Sequence, residues 1–222
     1  MEVERERLKL RDDPKVISPP SLDPAWKCGT AVVVRGFIAN AKLDIEINGA
    51  IVVAGFPGGF PVPNGALVPL PSPLTAGQQI RARQKFGGAT SGWSANVITR
   101  NHTQEFPAGP PRPQINPAPV FKCGTRTGVS NLLVGSDVWV QADLIEVGRV
   151  PGAAEHQGVN VNSPYSLGQS VVAWASLCKD LSPPSAAQIA SPRPHPCPSP
   201  GSCRPTPGAS SSPSPTWSMG PA

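Results

Sequence analysis

Apolar and polar positions alternate with a period of two along much of the chain up to about residue 182. Leu43-Asp-Ile-Glu-Ile47 is the clearest case. Leu43, Ile45 and Ile47 fall on one side and Asp44 and Glu46 on the other, which predicts a strand with one face on a core and two solvated carboxylates on the opposite face. Asn48-Gly49 follows, the pair that most readily takes two positive φ values, so a hairpin should return along Ala50-Ile-Val-Val-Ala54. Ala31-Val-Val-Val-Arg35 predicts a strand that is apolar on both sides, and Ala66-Leu-Val-Pro-Leu70 one near an edge, because Pro69 cannot donate to a ladder. A longer strand is expected over residues 78–86 and a last one over 94–99, with a loop over 56–65. Some six or seven short strands separated by turns, in about 80–90 residues, suit a β-sandwich.

The pattern occurs twice. Trp26-Lys-Cys-Gly-Thr30 returns 95 residues later as Phe121-Lys-Cys-Gly-Thr125. At the same offset Leu43, Ile45 and Ile47 meet Val138, Val140 and Ala142. At an offset of 91, Leu74-Thr-Ala-Gly-Gln78 meets Tyr165-Ser-Leu-Gly-Gln169. Blocks that agree in order indicate a duplicated unit. The expected organisation is a charged flexible arm over 1–15, a first sandwich over 16–105, a proline linker over 106–111, a second sandwich over 112–185, and a disordered Pro/Ser-rich tail over 186–222. The tail limit follows from composition: 12 of the 30 prolines lie in the last 40 residues, and such a chain favours extended or unfolded states. Spacer, ligand for proline-reading domains, partnerless linker and out-of-frame sequence all stay open for it.

The order Arg35-Gly36, an alternating strand closed by Asn48-Gly49, Pro73-Leu-Thr-Ala-Gly-Gln78, and Gly87-Gly-Ala-Thr-Ser-Gly-Trp-Ser94 resembles the immunoglobulin-like repeats of bacterial surface and secreted proteins. Its end also resembles the last strands of a fibronectin type III domain. The resemblance implies an all-β fold: two tandem immunoglobulin-like β-sandwich domains acting as spacer, adhesion or recognition modules, with no catalytic residues to carry over. The second copy departs from the pattern where Asp143-Leu144 replaces Asn-Gly and where Leu181-Ser-Pro-Pro-Ser185 stands in place of a continuing last strand. If the sandwich reading holds, Cys123 and Cys178 are placed to face each other, and a disulfide between them is expected. Cys28, with Gly87 at the position matching Cys178, is then expected to be a free buried thiol. Cys197 and Cys203 pair in the tail or have no role.

Charge adds little. The net charge is +5, but Arg193 and Arg204 belong to the tail, and only Arg81, Arg83 and Lys85 cluster, on one strand face. A solvated face is expected there, with no nucleic-acid partner. No apolar run of about 18 residues predicts a membrane span. His102, His156 and His195 have no metal-ligand spacing, and no nucleophile elbow, P-loop or dinucleotide fingerprint occurs. No enzyme, cofactor or metal is therefore expected. Trp93, Trp139 and Trp174 either pack the sheets or offer flat faces to sugar rings.

The expected function is an extracellular or cell-surface spacer or recognition module, with loops near 56–65 and 151–163 contacting an unidentified protein or polysaccharide. A carbohydrate-binding module is the alternative. The first residues lack the apolar core of a secretory signal, so the export reading implies a start further upstream or a fragment of a larger protein.

Overall fold

A computed structural model describes residues 17–59, 65–116 and 118–192. The charged arm expected over 1–15 lies outside the described residues, as do the tail from residue 193 on and, with it, Cys197 and Cys203.

Repeat 1 contains β1 (Ser21–Leu22), β2 (Ala31–Arg35), β3 (Lys42–Ile47), β4 (Ala50–Pro57), β5 (Ala66–Pro69), β6 (Gln79–Phe86), β7 (Ala89–Thr90) and β8 (Val97–Ile98), followed by a short helix α1 (His102–Glu105). Repeat 2 contains β9 (Gln114–Ile115), β10 (Arg126–Ser130), β11 (Ser136–Ala142), β12 (Ile145–Ala153), β13 (Gln157–Asn160), β14 (Ser170–Leu177), β15 (Asp180–Leu181) and β16 (Gln188–Ile189). The strand orders match. Each repeat has a three-stranded sheet, β1-β2-β5 or β9-β10-β13, and a five-stranded sheet, β4-β3-β6-β7 with β8 on β6, or β12-β11-β14-β15 with β16 on β14. This is two tandem immunoglobulin-like sandwiches, all antiparallel within the sheets.

The apolar positions of the alternation fall in the cores. Val32, Val34, Leu43, Ile45, Val68 and Ile80 fill the first core. Val129, Val138, Val140, Val159, Val171 and Tyr165 fill the second. Asn48 and Gly49 take φ 50° and 85°, and Asp143 and Leu144 take 50° and 69°, so the second copy makes the same hairpin without a glycine. The first turn residue fixes it in both cases. Asn48 Oδ1 accepts from the Gln79 amide and Asp143 Oδ1 from the Ser170 amide, each at 2.9 Å.

The final strand corrects the sequence reading. Residues 186–192 do not begin a tail: β16 pairs with β14, Ser170 opposite Ile189, and Phe121 bridges Ser191. The second sandwich therefore runs past the expected limit at 185. Serines at matching positions explain how a strand interrupted by prolines still closes the sheet. In repeat 1 the Ser91 and Ser94 hydroxyls accept from the Gln84 and Ala82 amides, at 3.0 Å each, while their own amides donate to the same residues' carbonyls. In repeat 2 Ser182 and Ser185 do the same for Ala175 and Ala173 at 2.9 Å. The hydroxyls take over the ladder where the chain steps away from it, so Gly92-Trp93 and Pro183-Pro184 need supply no strand hydrogen bond.

Replacing Ser94 or Ser185 with Ala leaves a buried strand amide without its acceptor, which costs about 1–3 kcal/mol. Each variant is expected to melt roughly 5–15 °C lower, a shift that thermal denaturation followed by circular dichroism measures directly.

Candidate functional site

Two features of the fold concentrate specific side-chain chemistry: the joint between the repeats and the outer faces of the five-stranded sheets.

The joint is built on residues 26–30, the turn between β1 and β2. Trp26 is buried with Leu133 and Leu177, and Cys28 and Phe106 pack against them. The Trp26 and Phe106 rings lie 5.8 Å apart, so the expected linker begins with a packed side chain. Cys28 is bonded to Cys178, with Cα atoms 5.2 Å apart. The Thr30 amide donates to the Gly135 carbonyl at 3.2 Å. A side chain at Gly135 would meet Gly29 Cα at 2.7 Å, and with φ +84° the position suits glycine on both counts. Beside this, Val33 of β2 is buried with Val134 and Ala154, and Leu67 of β5 packs on them. His102, buried on α1, meets Asp180 of β15 across the joint, Nε2 to Oδ2, at 2.9 Å.

The disulfide overturns two expectations. Cys178 pairs with Cys28 of the preceding repeat instead of with Cys123, and Cys28 is not a free thiol; Cys123 is. Cys178 sits in the β14–β15 turn, whereas Cys123 lies in the turn before β10, where its amide is tied to the Tyr165 carbonyl. Matching positions between copies fixed where each cysteine stands within its own sandwich, but the bond runs between sandwiches. One signal pointed to the joint. Ala31 and Val33 make β2 apolar on its outer face, while their counterparts Arg126 and Gly128 do not make β10 so. A strand apolar on both sides needs a second cover, and the loop holding Leu133 and Val134 supplies it.

On the outer face of repeat 1, Asp44 and Glu46 are buried, not solvated. Register places Glu46 opposite Arg81 and Asp44 opposite Arg83. Arg81 pairs with Glu46 at 2.6 Å, and Asp44 receives Arg83 at 2.8 Å and Lys85 at 2.6 Å. Trp93 lies against both guanidinium groups, with Arg81 and Arg83 at 5.3 and 4.5 Å from its ring. The basic strand face is thus an internally paired ladder. Burial pushes the Asp44 carboxyl up, but hydrogen bonds from Lys85, Arg83 and the Gly55 amide outweigh it and hold the group below the ordinary carboxylate range.

The same face in repeat 2 is aromatic. Trp139 and Trp174 are cross-strand partners. Their rings are parallel to within 5° with centroids 6.4 Å apart, and both are half-buried. Trp174 Nε1–H donates to Gln141 Oε1 at 3.0 Å, and Arg149 lies 5.1 Å from the Trp139 ring. Trp93 belongs to the other repeat and does not join this pair. Of the expected loops, residues 60–64 lie outside the described residues, and much of 151–163 is strand, the end of β12 and β13. Among the described residues no group of three or more His, Cys, Asp or Glu side chains is placed to hold a metal.

No family model and no curated protein matches the chain. Among solved structures it is similar to the BSP domain of a biofilm associated protein, with 18% identity over 80% of this chain and 30% of that one, at a TM-score of 0.36. It is also similar to the fibronectin(III)-like modules of Clostridium thermocellum CbhA, with 11% identity, 78% and 94% coverage and a TM-score of 0.28. A two-domain fibronectin type III segment of chicken tenascin gives 13% identity, 79% and 99% coverage and a TM-score of 0.26. The chain spans 30% of the length of the biofilm-associated chain. The assignment as tandem immunoglobulin-like sandwiches rests on the strand order described above.

Cys178→Ser is expected to destabilise the tandem by roughly 5 kcal/mol in the chain-entropy model for a separation of 150 residues; denaturant unfolding should then show the repeats melting separately. Asp44→Asn should cost about 1–3 kcal/mol, because Arg83 and Lys85 lose their charged partner. The wild-type ladder should weaken on acidification. With the folded Asp44 value below the unfolded one near 4, its contribution is complete above that value and is lost as pH falls through the folded one. Stability measured from pH 7 to 2 should show this loss in the wild type and a shallower one in Asp44→Asn.

Proposed function

We propose that this chain is a non-enzymatic module of an extracellular or cell-surface protein, part of a larger repeat protein, which spaces and presents recognition surfaces for a protein or polysaccharide. The covalent joint carries the reading. A disulfide between two domains needs an oxidising compartment to form and persist. It also fixes the relative placement of two sandwiches that a flexible linker would leave free, which is what a spacer requires. The titratable groups on the outer face of repeat 1 support a structural role, because Asp44 and Glu46 are committed to ion pairs.

A second reading draws support from the tryptophan pair. Parallel, partly exposed indoles on one sheet face, with Gln141 and Arg149 beside them, suit stacking against the apolar face of a sugar ring with polar groups at its edge. In this reading Trp139 and Trp174 are the stacking residues, and Trp93, packed against Arg81 and Arg83, is not.

Acid quenching and alkylation of the protein in its native source should find Cys28 and Cys178 bonded; finding both alkylated would end the export reading. Retention on immobilised polysaccharides that disappears in Trp139→Ala/Trp174→Ala would support the second reading, and no retention on any polysaccharide would remove it.

A further inference from the structure

The turn that docks repeat 1 onto repeat 2 exists a second time, and among the described residues no second sandwich covers it. Residues 121–125 repeat residues 26–30 as Phe-Lys-Cys-Gly-Thr. The backbone is the same: φ is 63° at Cys123 and 64° at Cys28. The anchoring is the same as well. The Cys123 amide donates to Tyr165 at 2.9 Å as that of Cys28 does to Leu74 at 2.7 Å, and Phe121 bridges Ser191 as Trp26 bridges Arg100. What differs is the cover. Trp26 and Gly29 are buried, whereas Phe121 and Gly124 are half-buried, Thr125 is exposed and Cys123 is a free thiol.

The matching socket, at the far end of repeat 1, is left uncovered by the described residues. In the internal joint the socket is the loop at Leu133, Val134 and Gly135 together with Leu177 and Cys178 at the head of the β14–β15 hairpin. The equivalents in repeat 1 are Ile38, Ala39 and Asn40 with Phe86 and Gly87. Leu177, under Trp26, is 3% exposed; Phe86, with no such cover from the described residues, is 41% exposed. The hairpin has the same shape, φ 58° at Gly87 against 55° at Cys178. Asn40, Phe86 and Gly87 line an open groove of about 430 Å³.

We propose that copies of this chain associate head to tail, the 121–125 turn of one seating on the Phe86 groove of the next in the manner of the internal joint. The contact is heterologous, joining different surfaces of the two copies, and so it extends into a linear array if the rotation does not close a ring. Three glycines make it weaker than the internal joint. Gly87 removes the covalent bond, and Gly128 and Gly158, with the Arg126 side chain laid against Gly158, stand where Val33 and Leu67 give the internal joint its apolar flank. The array is therefore reversible and concentration-dependent.

Gly87→Cys restores the missing half of the bond in the full chain, in a Cys197→Ser/Cys203→Ser background that removes competing thiols. Position 87 has the φ that Cys178 already adopts. After equilibration in a glutathione redox buffer, the proposal expects a disulfide-linked ladder on a non-reducing gel, with peptide mapping that joins Cys123 to the new cysteine. The ladder should vanish with Cys123→Ser and fall at least tenfold with Phe86→Ser, a change at an exposed position. A chain that stays monomeric, or that links only like cysteine to like cysteine while Cys28–Cys178 is intact, would overturn it. The wild-type chain should also show a sedimentation coefficient that rises with concentration and that Phe86→Ser flattens; a concentration-independent wild type would equally overturn it.

Discussion

The organisation of this molecule depends on the burial of one strand from both sides. Val32 and Val34 of β2 face the core of their own sandwich, and Ala31 and Val33 face outward. An outward apolar face on a three-stranded sheet is unfavourable in water unless something covers it. The loop carrying Val134, with Ala154 beside it, provides that cover. The contact brings the β14–β15 hairpin over the turn before β2, which sets Leu177 on Trp26 and Cys178 beside Cys28. The disulfide then holds in covalent form an arrangement that hydrophobic contact already favours.

Strand-level structure was largely legible in the residue pattern. Leu43-Asp-Ile-Glu-Ile47 and its counterpart in repeat 2 place their apolar residues in the cores, and the repeated blocks fall on equivalent strands and turns of two sandwiches with the same strand order. Those features are local or period-two, and alternation reports which face of a strand is buried. The serine ladder was harder to see. Ser182 and Ser185 flank two prolines, and without the knowledge that a hydroxyl can stand in for a strand acceptor the prolines look like the end of the sheet. The spacing shared with Ser91 and Ser94 was the available signal.

What the sequence concealed lies between elements. Asp44 and Glu46 look like solvated carboxylates because alternation places them outward. Only the register of β3 against β6 shows that Arg81, Arg83 and Lys85 lie over them. The cysteines mislead for a related reason. Comparing two copies of a unit finds equivalent positions inside the unit, while a bond from one copy to the next joins positions that are not equivalent. The face that is a charged ladder in repeat 1 is a tryptophan pair in repeat 2, so the two sandwiches keep one fold with different outer chemistry.

The placement of the single described disulfide has a mechanical consequence. A load applied to the chain at either side of the tandem enters near β1 and leaves near β16, and the Cys28–Cys178 bond lies in parallel with everything between them. The 150 residues it spans would lengthen by about 500 Å if drawn out fully, but while the bond is intact they carry no tension. Stretching is confined to the segments outside the bond, among them β1, β15 and β16, so the strands from β2 to β14 are shielded from being drawn out, and reduction of one sulfur–sulfur link would convert a short tether into a long compliant one.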